Sequence, residues 1–273
     1  MIRKLLHTAA MILLAAPVFA QSAASDLISL ETRQATQGWE AVGRLDVASG
    51  GFCTAALIRD RLLLTAAHCV YDSNNNLIAS GDFLFRAGLR NGRADATRRI
   101  VSVVPHPDFI SSDEDRISVE NIGRDIAVLE LAQPIRYSGV EPFPVAGRPY
   151  RGDEVTIVSY GRDREDAPSL QESCSVLNRL EGAVVMDCDV IYGSSGSPVF
   201  QIRNGRALIV SVVSAMAQSE GSKVSFGTSL QEPLQELLAA FAVKGPAKPG
   251  GEQRMIQRGE RNDTGAKFVS TNN

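Results

Sequence analysis

From Trp39 onward, apolar residues come in short runs rich in Val, Ile, Leu and Thr, each closed by Gly, Pro, Asn or Asp. The clearest are Phe52 to Ile58, Leu62 to Thr65, Arg98 to Val104, Asp125 to Leu131, Val155 to Tyr160, Ala183 to Asp187, Pro198 to Ile202, Ala207 to Ser214 and Val224 to Leu230. Many short strands with frequent turn signals predict an all-β barrel or sandwich. One segment breaks the pattern: Leu234, Leu237, Leu238 and Phe241 recur at helical spacing and predict a single helix from about Gln231 to Val243.

Residues 133–152 carry Pro134, Pro142, Pro144 and Pro149. Proline lacks a backbone donor, so a continuous central strand is disfavoured and the stretch reads as a connection between two β units, residues 39–132 and 153–244. After Lys244 the composition turns polar and rich in Gly, Lys, Arg and Asn, which predicts a disordered tail over 245–273. At the other end, Arg3 and Lys4 precede the apolar stretch Met11 to Ala16 and the small-residue pattern Val18-Phe19-Ala20, the layout of an export signal over residues 1–20. Residues 21–38 then form an N-terminal extension or pro-segment. The apolar stretch is short of the roughly 20 residues that span a bilayer, and no later run is long enough either, so no membrane anchor is expected.

The 273-residue chain has a formal net charge of −3, and loss of Arg3 and Lys4 makes the exported part more acidic. This argues against a nucleic-acid partner, whose phosphates call for clustered Lys and Arg. All four cysteines, Cys53, Cys69, Cys174 and Cys188, lie in the exported part, where disulfides persist. Three pairings are possible. The two sequence-near pairs are preferred, and loops of that size are worth about 3 kcal/mol each in the chain-entropy model. A zinc site competes, but there is no CxxC and there are only three histidines.

Candidate chemistry rests on three separated segments: Thr65-Ala66-Ala67-His68-Cys69, Arg124-Asp125-Ile126-Ala127-Val128-Leu129, and Gly193-Ser194-Ser195-Gly196-Ser197-Pro198. A serine hydroxyl attacks well only when a neighbour takes its proton, and His68 is the candidate base. His7 lies in the signal segment, and His106 sits in a proline-flanked loop, Pro105-His106-Pro107, with no serine motif beside it. Asp125 precedes an apolar strand, so its carboxylate needs a donor near the interior, which an imidazole N–H supplies. Asp113 and Asp115, in a polar acidic segment, are weaker rivals. Gly193 lets the backbone approach substrate, so its N–H and that of Ser195 are candidates for an oxyanion hole. The order His, Asp, Ser excludes an α/β-hydrolase, which places its histidine after its serine.

Together these segments resemble the chymotrypsin and trypsin superfamily of serine peptidases. Phe52-Cys53, Leu57-Ile58 and Leu64 to Cys69 are similar to that family's first disulfide and histidine segment, and Asp125 to Leu129 to its aspartate strand. Ser159-Tyr160-Gly161 resembles its small-aromatic-glycine turn, and Cys174 with Met186-Asp187-Cys188 its second disulfide. Ile209-Val210-Ser211 resembles the strand that runs beside bound substrate, which implies that Ser211 supports Asp125. The resemblance covers roughly Trp39 to Val243. It implies two antiparallel six-stranded barrels with the site between them, a protein or peptide substrate, an acyl-enzyme intermediate, and no metal or organic cofactor. The alternative is a catalytically silent relative that binds a partner on the same scaffold.

Trypsin-like zymogens pair a new N-terminal ammonium with an aspartate just before the nucleophile. Here that position is Ser194, and no Ile-Val-Gly-Gly start lies near residues 21–38. In this the chain is closer to bacterial glutamyl-endopeptidase-like members. For substrate selection, Asp189 lies six positions before Ser195, where trypsin-like enzymes bind Arg or Lys, but counting from Cys188 places it outside the pocket. Val212, Val213 and Phe226 are candidates for an apolar pocket wall. The expected location is the periplasm or the extracellular space.

Overall fold

The computed structural model describes residues 27–111, 118–136, 139–219 and 222–244. The signal segment, the tail from residue 245, and Asp113 and Asp115 lie outside the described residues.

The first barrel is closed and antiparallel, in the order β2-β3-β4-β7-β6-β5. Its strands are β2 (Val42–Val47), β3 (Phe52–Arg59), β4 (Leu62–Thr65), β5 (Phe83–Ala87), β6 (Ala96–Pro105) and β7 (Ala127–Leu131). A single helical turn, α1 (Val119–Ile122), precedes β7. Alternation explains β5, where Phe83, Phe85 and Ala87 are buried between half-exposed neighbours. β2 and β5 carry charge on their outer faces: Arg44 and Arg86 are directly opposed, and Asp46 bridges them at 2.6 and 2.9 Å. An acid between two opposed guanidiniums offsets a like-charge pair that would otherwise weaken the ladder.

The second barrel comprises β8 (Glu154–Gly161), β9 (Arg164–Arg179), β10 (Ala183–Met186), β11 (Pro198–Arg203), β12 (Arg206–Ser219) and β13 (Ser222–Ser229). The order is β9-β10-β13-β12-β11-β8, and a β8–β9 pairing closes it. Outside this ring a short strand, β1 (Leu27–Ser29), pairs with Ser169 to Gln171 of β9. Between the barrels, the chain runs past both: the Phe143 N–H donates to the Leu57 carbonyl, and Ala146 and Pro144 bond Ile209. Among the described residues of the proline-rich stretch, Val145 makes a single bridge to Ile209 and no strand longer than this forms.

The second barrel has a core of its own, with Val155, Val176, Val184, Met186 and Val210, and a second, larger buried cluster joins the two barrels. Phe200, Ile209, Val212 and Val158 of the second barrel belong to the same buried cluster as Leu57, Leu63 and Leu129 of the first. Phe200 meets Phe143 and Trp39 at ring-centroid distances of 4.7 and 5.1 Å across this seam. The C-terminal helix α2 (Gln231–Lys244) leaves the second barrel and packs on β6 and β7 of the first. Its buried face is Leu234 and Leu237, each worth roughly 2 kcal/mol of apolar burial. No helix among the described residues is long and apolar enough to cross a membrane.

Both sequence-near cysteine pairs are disulfides, Cys53–Cys69 and Cys174–Cys188. No free thiol is left among them for zinc. The first ties β3 to the turn after β4, and the second ties β9 to the segment after β10.

Candidate active site

His68 opens the helical turn His68–Val70 just after β4, preceded by the fully buried Ala66 and Ala67. Asp125 comes from the turn between α1 and β7. Ser118 caps α1 by accepting from the Asn121 N–H at 3.1 Å, and the Asp125 N–H donates to the Ile122 carbonyl. From the second barrel, the Thr228 hydroxyl reaches the carbonyls of Ile122 at 2.6 Å and Asp125 at 3.2 Å. The acid-bearing turn is therefore held by both barrels.

The two side chains meet. His68 Nδ1 lies 2.7 Å from Asp125 Oδ2, and the His68 main-chain N–H donates to Oδ1 at 2.8 Å. Asp125 is only 3% exposed. Burial pushes its carboxyl up, but the charge of His68, the two His68 donors and a serine hydroxyl outweigh this and hold it below the usual carboxylate range.

That hydroxyl belongs to Ser214, which donates to Asp125 Oδ2 at 2.5 Å. Ser211, the expected support, instead donates to the Thr228 carbonyl at 2.8 Å inside the second barrel. The reason is a bulge. Val213 faces Gly227 and Ala215 faces Phe226, so Ser214 is an extra residue without a cross-strand partner and is re-aimed toward the cleft. Its position three residues after Ser211 in a regular strand would already put the two on opposite faces.

Ser195 reaches the cleft because the turn that carries it lies directly on the first barrel. Gly196 has φ of +78°, and a Cβ there would overlap Thr65 Oγ1 and the Thr54 carbonyl, so only glycine fits. Thr54 of β3 makes three bonds to the second barrel. Its N–H donates to the Ser195 carbonyl at 2.9 Å, its hydroxyl donates to the Gly193 carbonyl at 2.9 Å, and the same oxygen accepts from the Tyr160 N–H at 3.0 Å. Sequence reasoning did not single out Thr54. Its only signal is a polar residue inside the apolar run Phe52 to Ile58.

The Tyr192 carbonyl accepts from the Arg162 N–H at 2.7 Å. Because a trans peptide points its C=O and N–H in opposite directions, the Gly193 N–H faces away from the Arg162 loop. Among the described residues, no acceptor takes the N–H of Gly193 or of Ser195. Two neighbouring unpaired donors are what a developing oxyanion requires.

A cleft of about 680 Å³ holds His68, Asp125, Gly193, Ser195 and Ser214 together. Its remaining lining includes Phe52, Cys53, Arg162, Glu165, Val190, Ile191, Tyr192, Val213, Ala215 and Met216. Of the three candidates for an apolar wall, Val213 lines the cleft, Val212 is packed in the core shared by the barrels, and Phe226 is absent from the lining. Asp189 is also outside it. Its N–H donates to Gln171 Oε1 at 2.8 Å, and its charge acts on Arg164. The geometry thus follows the count from Cys188. His106 is remote from the cleft and 2% exposed, with Nε2 3.2 Å from Glu236 Oε2 on α2 and Nδ1 accepting from the Asp108 N–H.

Two closed six-stranded antiparallel barrels, with this cleft between them, define a serine-peptidase domain of the chymotrypsin fold. The sequence pattern of the Trypsin family matches residues 30–234, and the chain belongs to that family. It is 29% identical over 160 residues to a glutamyl endopeptidase of Bacillus licheniformis, covering 58% of this chain and 48% of that protein. It is 32% identical over 158 residues to the cercarial protease of Schistosoma mansoni, covering 54% and 56%. The chain thus spans about half the length of these relatives. Among solved structures, a Glu endopeptidase in complex with MPD superimposes with a TM-score of 0.64 at 18% identity, covering 81% of this chain and 98% of that one. At that identity the match speaks for the fold.

Proposed function

We propose that the protein is an exported serine endopeptidase. Ser195 attacks the carbonyl carbon of a peptide bond while His68 Nε2 takes its proton. The tetrahedral oxyanion is held by the N–H groups of Gly193 and Ser195. His68 then returns the proton to the leaving amine, which departs and leaves an acyl group on Ser195. A water molecule, deprotonated by the same imidazole, releases the acid. Asp125 fixes the ring with Nδ1–H directed at its carboxylate, so that Nε2 is the basic nitrogen, and stabilises the imidazolium formed during attack. No step needs a metal or an organic cofactor.

The observation that carries this reading is the 2.7 Å contact between His68 Nδ1 and buried Asp125, in a cleft also lined by Ser195. For the acyl side of the substrate, the wall of Val190, Ile191, Val213, Ala215 and Met216 favours apolar side chains. Although one relative is named for glutamyl cleavage, among the described residues Arg162 is the only Arg or Lys lining this cleft, and it is stacked on the Tyr192 ring at 4.7 Å. Export follows from the signal-like first twenty residues and from the two disulfides.

A fluorophosphonate probe tests the chemistry. The mature, disulfide-bonded protein is expected to be labelled on Ser195, with labelling abolished in Ser195→Ala and strongly reduced in His68→Ala. Folded wild type that resists the probe would sink the proposal. A peptide-library profile tests the preference for apolar residues, and a dominant acidic preference would overturn it.

A further inference from the structure

Arg164 is the first residue of β9 and faces Gly161 across the turn from β8. A Cβ on Gly161 would come within 2.9 Å of Arg164 Nε and Cζ, and 2.8 Å of the Ile191 side chain. The guanidinium therefore passes over this glycine into the space behind residues 191–194. There Nη1 donates to the Ser159 carbonyl at 2.6 Å, and Nη2 donates to Ser159 Oγ at 3.0 Å and to Ser194 Oγ at 3.1 Å.

Ser194 is fully buried. Its oxygen also accepts from the Ile191 N–H at 3.3 Å, and its own proton has the Tyr160 carbonyl as acceptor at 3.2 Å. The Ser194 N–H closes a turn on the Ile191 carbonyl at 2.9 Å. The loop carrying the Gly193 and Ser195 donors is thus gathered around one hydroxyl, and that hydroxyl is held by a cation.

Such a cation is costly. Burial works against its charge, opposed by Asp189, yet among the described residues no carboxylate lies within ion-pair distance of it. A largely buried charge whose Nη1 and Nη2 bond only neutral oxygens and whose Nε has no hydrogen-bond partner among the described residues is hard to explain as a stabilising device, since apolar packing would do as well. Its partners are, however, the backbone and hydroxyls that set the shape of the serine loop.

We propose that Arg164 is a positioning residue: an internal cation that holds Ser194, and through it the N–H groups of Gly193 and Ser195, so that the oxyanion hole is formed on folding without a liberated N-terminal ammonium. The serine at position 194 then fits its surroundings. A hydroxyl accepts from the guanidinium and from Ile191 while donating to Tyr160, which an ionised carboxylate, having no proton, does not do. The proposal rests on the hydrolytic reading of Ser195 given above.

The test uses the mature full chain, with Arg164→Ala and Arg164→Lys compared with wild type. Readouts are kcat and KM on an active ester and a peptide, the fluorophosphonate labelling rate, and near-UV circular dichroism for the fold. Arg164→Ala is expected to stay folded and to lose kcat by about 100-fold, the scale of a lost oxyanion donor, with KM little changed. Millimolar guanidinium is expected to restore part of that activity, whereas sodium chloride at the same ionic strength is not. Arg164→Lys, which keeps the charge but not the fork, is expected to fall between. Acylating the N-terminal amine of wild type is expected to leave kcat unchanged.

A folded Arg164→Ala with kcat within about threefold of wild type overturns the proposal, as does loss of activity on acylating the amine. Should Arg164→Ala fail to fold, Ser194→Ala decides: a roughly tenfold loss of kcat supports the assignment, and full activity overturns it. Wild type inert to ester and probe alike would instead refute the reading of Ser195, a result distinct from equal activity in wild type and variant.

Discussion

The hydroxyl of Thr54, on a strand of the first barrel, donates to the carbonyl of Gly193 in the second. One side chain thereby fixes the peptide between Gly193 and Ser194 and also accepts the Tyr160 N–H. Thr54→Val keeps the shape and removes both bonds, leaving buried backbone groups unpaired. The expected cost is about 2 kcal/mol of stability by urea denaturation, together with a lower kcat at nearly unchanged KM. Retention of wild-type kcat would mean that the serine loop does not need this anchor.

Ser214→Ala removes one of the three donors to Asp125. About a tenfold drop in kcat on an active ester is expected, while Ser211→Ala, whose hydroxyl bonds only the Thr228 carbonyl, leaves kcat near wild type. The stability profile should also move. Asp125 is held below its ordinary value, so its contribution is present above the unfolded carboxylate value and is lost as pH falls through the lower folded one. With a donor gone, the folded value rises, and acid unfolding begins at higher pH. Thermal melts between about pH 5 and pH 2 read this directly.

His106 gives the opposite kind of titration. Burial pushes its pKa down, against the upward pull of Glu236 and Asp108, with Arg124 adding to the depression. The unfolded chain then takes up the proton at higher pH than the folded one. Stability therefore falls as pH drops below about 6.5, the ordinary histidine value. His106→Gln is expected to flatten the melting-temperature profile between about pH 6.5 and 5 and to leave ester hydrolysis at neutral pH intact. An unchanged slope would assign the acid sensitivity elsewhere.

The Cys53–Cys69 disulfide closes a loop running through β4 to the residue after His68. Replacing both cysteines by alanine is expected to cost about 3 kcal/mol in guanidinium unfolding. Activity should fall further than stability alone explains, because Cys53 is also part of the cleft wall. Cys174→Ala with Cys188→Ala, which do not line the cleft but pack with its wall residues Val190 and Val213, should cost similar stability and lower kcat less than loss of the first disulfide.

What the sequence made legible follows from how each residue announces itself. His68, Asp125 and Ser195 sit in compact motifs whose neighbours are small or apolar for local reasons, and such patterns survive folding unchanged. Ser214 was hidden because a bulge shifts register at one residue, and no alternation pattern shows where a strand gains an extra residue. Arg164 was hidden for another reason. It opens a strand whose first residues, Arg164-Glu165-Asp166, are charged and whose fifth is Pro168, so the segment reads as a surface loop. Its value lies in partners five and thirty positions away, which only the closed barrel brings within reach. Asp189 shows the converse: its spacing from Ser195 suggested a pocket role, but it does not line the cleft.

Helix α2 leaves the second barrel and buries Leu234 and Leu237 against the first. Parting the barrels would expose this face along with the Phe143–Phe200 seam, so the molecule is expected to melt as one cooperative unit, with calorimetric and van't Hoff enthalpies in agreement. Hinge opening between the barrels would therefore carry the cost of exposing this shared apolar surface. On the proposed peptidase reading, discrimination between substrates would then fall to how unfolded or extended they already are when they arrive.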